Sequence, residues 1–177
     1  EDWSEAERWA RQALAVKPGE AKVQRQLAAI LMEQRRYAEA KEWLEAALAK
    51  DERDADTLQA LAGFHAKQED WSEAERWARQ ALAVKPDRAE AIALLAGIHA
   101  QQGRCDEAVA GFQAARALEP RKQAHLWRET LLLPVIPQSL DEIAHWRNRY
   151  RQGIEALHSS PPLEDDELRG INPLSFY

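Results

Sequence analysis

The side chains able to make or break bonds are few and poorly placed for it. The sequence holds five histidines and one cysteine. A zinc site needs three or four His, Cys or carboxylate donors converging on one point. His65 and His99 stand 34 residues apart at equivalent places in a repeating pattern, with no further donor at ligand spacing. Each is therefore expected to fill a space between helices. His125, His145 and His158 form no HExxH grouping. Cys105 falls where other copies of the pattern carry Trp3, Tyr37 or Trp71, a position for a buried hydrophobe and not for a nucleophile. A lone cysteine also rules out a disulfide framework. Neither a Gly-rich phosphate loop nor a GxSxG elbow occurs. Arg147, Arg149 and Arg151 alternate, so they do not share one helix face, and a solvated surface is expected of them in place of a nucleic-acid patch. The acidic run Glu164–Asp165–Asp166–Glu167 lacks the alternating ligands and central glycine of an EF-hand loop. The reading is of no catalytic residue, no metal site and no cofactor, and of a chain that is not by itself an enzyme.

Composition agrees with a role in contact. The 177 residues are 45% hydrophobic and 31% charged, which suffices for a packed core and argues against wholesale disorder. The net charge of −6 disfavours nucleic acid as a partner. The longest apolar run, Leu131 to Ile136, is broken by Pro134 and falls far short of the roughly 20 residues of a membrane span. The only methionine is Met32, and the sequence opens on Glu1 inside a motif, from which a piece of a longer protein is expected.

The motif is a repeat. EDWSEAERWARQALAVKP at Glu1–Pro18 recurs unchanged at Glu69–Pro86. A weaker copy lies halfway, at Arg35–Glu52, with Ala40, Trp43, Ala47 and Leu48 in the places of Ala6, Trp9, Ala13 and Leu14. A fourth begins at Gly103 and keeps Ala108, Phe112, Ala115 and Pro120. The complete pattern reads Ile92, Leu95, Ala96, His99, Ala108, Phe112, Pro120 in one copy, and Leu58, Leu61, Ala62, His65, Ala74, Ala78, Pro86 in the copy before it. This 34-residue period resembles the tetratricopeptide (TPR) family. Apolar residues such as Trp71, Ala74, Trp77, Ala78, Ala81 and Leu82 follow helical spacing. Alanines recur where two helices approach closely, and prolines fall just past the second helices, where they cannot continue them. The expected fold is all-α: a TPR solenoid, a right-handed superhelix of antiparallel helix pairs with a divergent C-terminal capping helix. Its parts are a second helix of a truncated repeat (1–20), three repeats (21–54, 55–88, 89–122), divergent capping helices (123–160) and a linker (161–177) toward a missing domain.

The C-terminal part breaks the pattern. Residues 123–133 start another first helix, which Pro134 and Pro137 stop. Ser139–Leu140–Asp141–Glu142 is a capping box. It opens a helix reaching about His158, with Ile143, Trp146, Tyr150, Ile154 and Leu157 along one face. In the 34-residue register Glu142 and Arg149 would take the close-packing alanine positions. Neither fits, so this helix is expected to pack differently. The run LLLPVIPQSLDEIAHWRNRYRQGIEAL (Leu131–Leu157), followed by NPLSFY (Asn172–Tyr177), resembles the junction in bacterial SPINDLY-like proteins. These are the TPR-bearing relatives of O-linked N-acetylglucosamine transferase in glycosyltransferase family 41. The resemblance implies a UDP-sugar-dependent parent enzyme in the bacterial cytoplasm, with this chain as its non-catalytic substrate-recognition or spacer region. None of that family's catalytic motifs can be carried onto this chain. The alternative is a free-standing TPR adaptor that assembles a protein complex.

The TPR resemblance also implies a concave surface lined by first helices, and a protein or peptide as the partner. The lining would be Lys22, Arg25, Gln26, Ala29 and Glu33; then Asp56, Gln59, Ala60, Gly63 and Lys67; then Glu90, Ala93, Leu94, Gly97 and Gln101. Its charge runs from basic toward neutral-acidic, which would steer a segment acidic end first. Only Asn148 and Asn172 are asparagines, so neither a carboxylate clamp nor an asparagine ladder is expected. The apolar face of residues 1–18 has no partner helix before it in this sequence, and self-association through that end is expected.

Overall fold

The computed structural model describes residues 3–134, 136–137 and 139–163. Among them it is all helix: α1 (Trp3–Val16), α2 (Ala21–Glu33), α3 (Tyr37–Leu48), α4 (Ala55–Lys67), α5 (Trp71–Val84), α6 (Ala89–Gln101), α7 (Cys105–Leu118), α8 (Gln123–Leu131) and α9 (Leu140–His158). These segments are rich in alanine, leucine, glutamate and arginine, the residues that lose least on entering a helix. Short polar side chains cap several starts. Asp54 accepts from the Asp56 N–H at 3.2 Å, Asp70 from the Glu73 N–H at 3.3 Å, and Ser139 from the Glu142 N–H at 3.0 Å. The last of these is the capping box read from the sequence.

One turn recurs with the sequence period. Between α2 and α3, α4 and α5, and α6 and α7, a residue in the left-handed region reverses the chain: Arg35 (φ 61°), Glu69 (φ 60°) and Gly103 (φ 74°). After each, an N–H reaches back to a carbonyl in the last turn of the first helix. These bonds run from Arg36 to Leu31 O (2.8 Å), Asp70 to His65 O (3.0 Å) and Arg104 to His99 O (2.9 Å). The pattern is that of a Schellman C-terminus, which satisfies carbonyls the helix leaves open. It folds each helix back on the next, so α2 packs on α3, α4 on α5 and α6 on α7.

The chain forms two compact units, one carrying α1–α5 and ending at Pro86, the other beginning at Asp87 and carrying α6–α9. The first is built on Leu14, Leu27, Ala28, Leu31, Ala40, Leu44, Leu61 and Phe64, with Tyr37 meeting Phe64 edge-on at 6.4 Å. The second is built on Ala89, Ala93, Ala96, Ala108, Phe112, Ala115 and Leu132. Small residues set the spacing. A Cβ on Gly111 of α7 would stand 2.7 Å from Ala96 Cβ on α6, so these two helices meet backbone to side chain.

The α8–α9 pair departs from the others in the place where the alanine rule fails. Arg149 is half-buried, not part of a solvated face as its alternation with Arg147 and Arg151 suggested. Its guanidinium donates to Glu129 O and Leu132 O and lies over the Trp146 ring at 4.6 Å. It thus caps carbonyls that α8, halted before Pro134, cannot satisfy internally. Gly153 supplies the close approach instead, for a Cβ there would lie 2.6 Å from Thr130 Oγ1. The apolar stripe of α9 is only partly used: Trp146 is buried, while Ile143, Tyr150 and Ile154 are exposed. The acidic run 164–167, the NPLSFY segment and most of the expected linker lie outside the described residues.

Candidate functional site

In the first unit the expected binding residues lie on α2 and α4, which touch one another. Lys22, Gln26, Ala29 and Glu33 on α2 are exposed. Arg25 is half-buried and fully engaged. Its guanidinium donates to Asp54 Oδ2 (2.5 Å), Asp56 Oδ2 (3.1 Å) and Thr57 Oγ1 (3.2 Å). At the other end of the helix pair, Lys67 Nζ donates to Glu33 Oε1 at 2.7 Å. Arg25 and Lys67 are thus each paired with carboxylates at the neighbouring first helix, while Lys22 is exposed. Asp54 and Thr57 were missed by the sequence reading. Their signal was Asp54 at the helix start, one period before Arg88 and two before Lys122.

Between these two ion-paired ends the surface is small and partly polar. Ala29 is exposed, Gly63 is half-buried, and a Cβ built on Gly63 would meet nothing within 4 Å. Ala60 packs partly against the core below. Gln59 is half-buried, and its Oε1 is enclosed without a hydrogen-bond partner.

In the second unit the residues divide. Glu90 and Gln101 on α6 are exposed, and Leu94 is half-buried. Gly97 has open space where a Cβ would sit. Ala93 does not belong to the surface: it is 5% exposed and packs in the core with Ala96 and Phe112. Glu90 is met by Arg88 at 3.5 Å and Lys122 at 3.9 Å.

The remaining chemical candidates serve packing. Cys105 is buried, and burial, then Asp106, pushes its thiol up, away from a reactive thiolate. His99 is buried, with Nδ1 3.9 Å from Glu107 Oε2. His65 meets Phe64 edge-on at 5.2 Å and Asp70 Oδ2 at 3.4 Å. Among the described residues no three His, Cys, Asp or Glu side chains are grouped to hold a metal, and no helix is long and apolar enough to cross a membrane. Trp43 and Trp77 pack partly against the core of the first unit, whereas Trp3 and Trp9 on α1 are exposed.

The fold is an all-helical TPR-type solenoid, and comparison with known proteins agrees. The tetratricopeptide repeat family matches residues 1–64 and 65–128; the chain belongs to that family. No curated protein sequence matches it. Among solved structures it is similar to MamA, at TM-score 0.68 and 16% identity over 89% of this chain and 90% of that one. It is also similar to PilF of Pseudomonas aeruginosa, at TM-score 0.72 and 20% identity over 94% of this chain and 72% of that one. A third is YrrB, a TPR protein with an unusual peptide-binding site, at TM-score 0.63 and 18% identity over 96% and 83%. At these identities the likeness is one of fold.

Proposed function

We propose that the chain is a non-catalytic scaffold that holds a protein or peptide segment against its first helices, with the α2–α4 face of the first unit as the principal contact. The observation that carries this is the open floor over Gly63, beside exposed Ala29. An extended backbone fits there because nothing larger than a hydrogen rises from Gly63. The two ends of the floor are tied by Arg25–Asp56 and Glu33–Lys67. Affinity would therefore come from shape and hydrogen bonds more than from charge steering. YrrB, of similar fold, carries a peptide-binding site.

The test is a selection of displayed peptides on the whole chain. Enriched peptides should lose at least ten-fold in affinity to Gly63→Trp, which fills open space and should keep the melting temperature. Equal binding to the variant would remove this face from the proposal.

A narrower reading places the chain within a bacterial glycosyltransferase of the family-41 type, in the cytoplasm, where it would recognise or space protein substrates. Its support is the Leu131–Leu157 run and the Asn172–Tyr177 segment. Reading the parent gene past Tyr177 tests it: a nucleotide-sugar-binding domain favours it, and any other continuation favours an adaptor that assembles a complex.

A further inference from the structure

The apolar stripe of α9 lies where the other second helices meet solvent. Its members are Leu140 at 83% exposure, Ile143 and Tyr150 at 37% and Ile154 at 41%, with half-buried Leu157 at its end and exposed Arg147 in its middle. One 34-residue period earlier, the places of Leu140, Ile143 and Arg147 hold Asp106, Val109 and Gln113; two periods earlier they hold Ser72, Glu75 and Arg79. Three periods earlier they hold Ala38, Lys41 and Glu45, all exposed on α3 although α2 and α4 both touch that helix. Trp146 stands in the place of Phe112, and both are buried, so α9 turns the same side inward. The register of the repeat therefore points this stripe at solvent. Where α3 and α5 carry charge there, α9 carries leucine and isoleucine.

These residues recur every seven positions. Leu140, Arg147 and Ile154 form one row and Ile143, Tyr150 and Leu157 the other, the two rows of a seam that pairs helices side by side. The seam is complementary to its own reverse. Against a second α9 running the opposite way, Leu140 meets Leu157, Ile143 meets Ile154 and Arg147 meets Tyr150, and a twofold axis repeats each contact. We infer that this face is an interface between two copies of the chain, paired antiparallel through α9. The Arg147 guanidinium of each copy then lies against the Tyr150 ring of the other, an attraction that strengthens as water is excluded. A parallel pair would set Arg147 against Arg147 between apolar layers, where like charges repel. The seam is clear of α8, because Arg149 and Gly153, which meet that helix, lie roughly 100° round α9 from it. This interface belongs to the second unit and does not depend on the α2–α4 face proposed above.

Sedimentation of the whole chain tests this. A reversible dimer is expected. Ile143→Glu and Ile154→Glu should each weaken it at least ten-fold, with thermal melts showing both variants folded. A second measurement reads the direction of pairing. Leu140→Cys and Leu157→Cys proteins, mixed and mildly oxidised, should form a disulfide-linked pair, because the two thiols face each other. Neither should link to itself, since the two copies of either position stand roughly 25 Å apart along an antiparallel pair. Cys105 is buried and takes no part. A chain that stays monomeric would overturn the inference. So would a dimer indifferent to both glutamate variants, or one that Ala13→Arg dissolves and they do not, which would place the contact on α1. Self-linking of either cysteine protein without the mixed pair would show a different alignment and overturn it equally.

Discussion

Glu7 is held between two arginines in the first unit. It accepts from Arg11 Nε at 2.8 Å and from Arg36 Nη1 at 2.9 and 2.8 Å on its two oxygens. The Arg11 bond first, then Gln34 and Arg36, outweigh its partial burial and hold its carboxyl down from the ordinary 4.5 to about 2. A group whose folded pKa is depressed contributes stability above its unfolded pKa, and that contribution fades as pH falls toward the folded one. Thermal melts from pH 5 to pH 2 should therefore drop less steeply in Glu7→Gln than in the parent. Equal slopes would show that the bonds do not persist in solution. A second residue-scale expectation concerns the recurring turn. Glu69 is exposed in a left-handed conformation that costs an L-residue about 1–2 kcal/mol, whereas Gly103 takes the equivalent place without that cost. Glycine loses more chain entropy on folding. Denaturant unfolding of Glu69→Gly should accordingly show a net gain of about 0.5–1 kcal/mol.

At the scale of the element, one sequence in two contexts separates propensity from packing. The α1 and α5 segments share every intrinsic preference, and only the neighbouring helix differs. Ala81→Leu places a large side chain in a contact where nothing is exposed, and should cost about 1–3 kcal/mol. Ala13→Leu makes the same change at the exposed counterpart and should fall within about 0.5 kcal/mol of the parent. Calorimetry on the two variants checks the pair; similar losses would mean that α1 is already covered. The α8–α9 pair shows the converse, a shared geometry reached by other means. Arginine and glycine stand in for alanine there, through hydrogen bonds to an interrupted helix end and a close approach at Gly153.

At the scale of the molecule, each unit has its own core, and repeat proteins behave nearly as sums of local terms. Leu44 is 0% exposed in the first unit and Phe112 4% exposed in the second. Leu44→Ala and Phe112→Ala should each cost about 2–5 kcal/mol, and urea unfolding of the double variant should match their sum within about 0.5 kcal/mol. The amino-acid sequence by itself determined the helix positions, the capping box at Ser139 and the burial of Ala40, Ala74 and Ala108, because the 34-residue period repeats the same local physics. Its list of surface residues was less complete. Ala93 went inside, Arg149 became a cap, Arg25 is tied to Asp54 and Asp56, and the tryptophans of α1 stayed outside while their counterparts in α5 were partly covered. Each outcome depends on which helix lies alongside, and a period read along one chain says what a residue is, not what stands next to it.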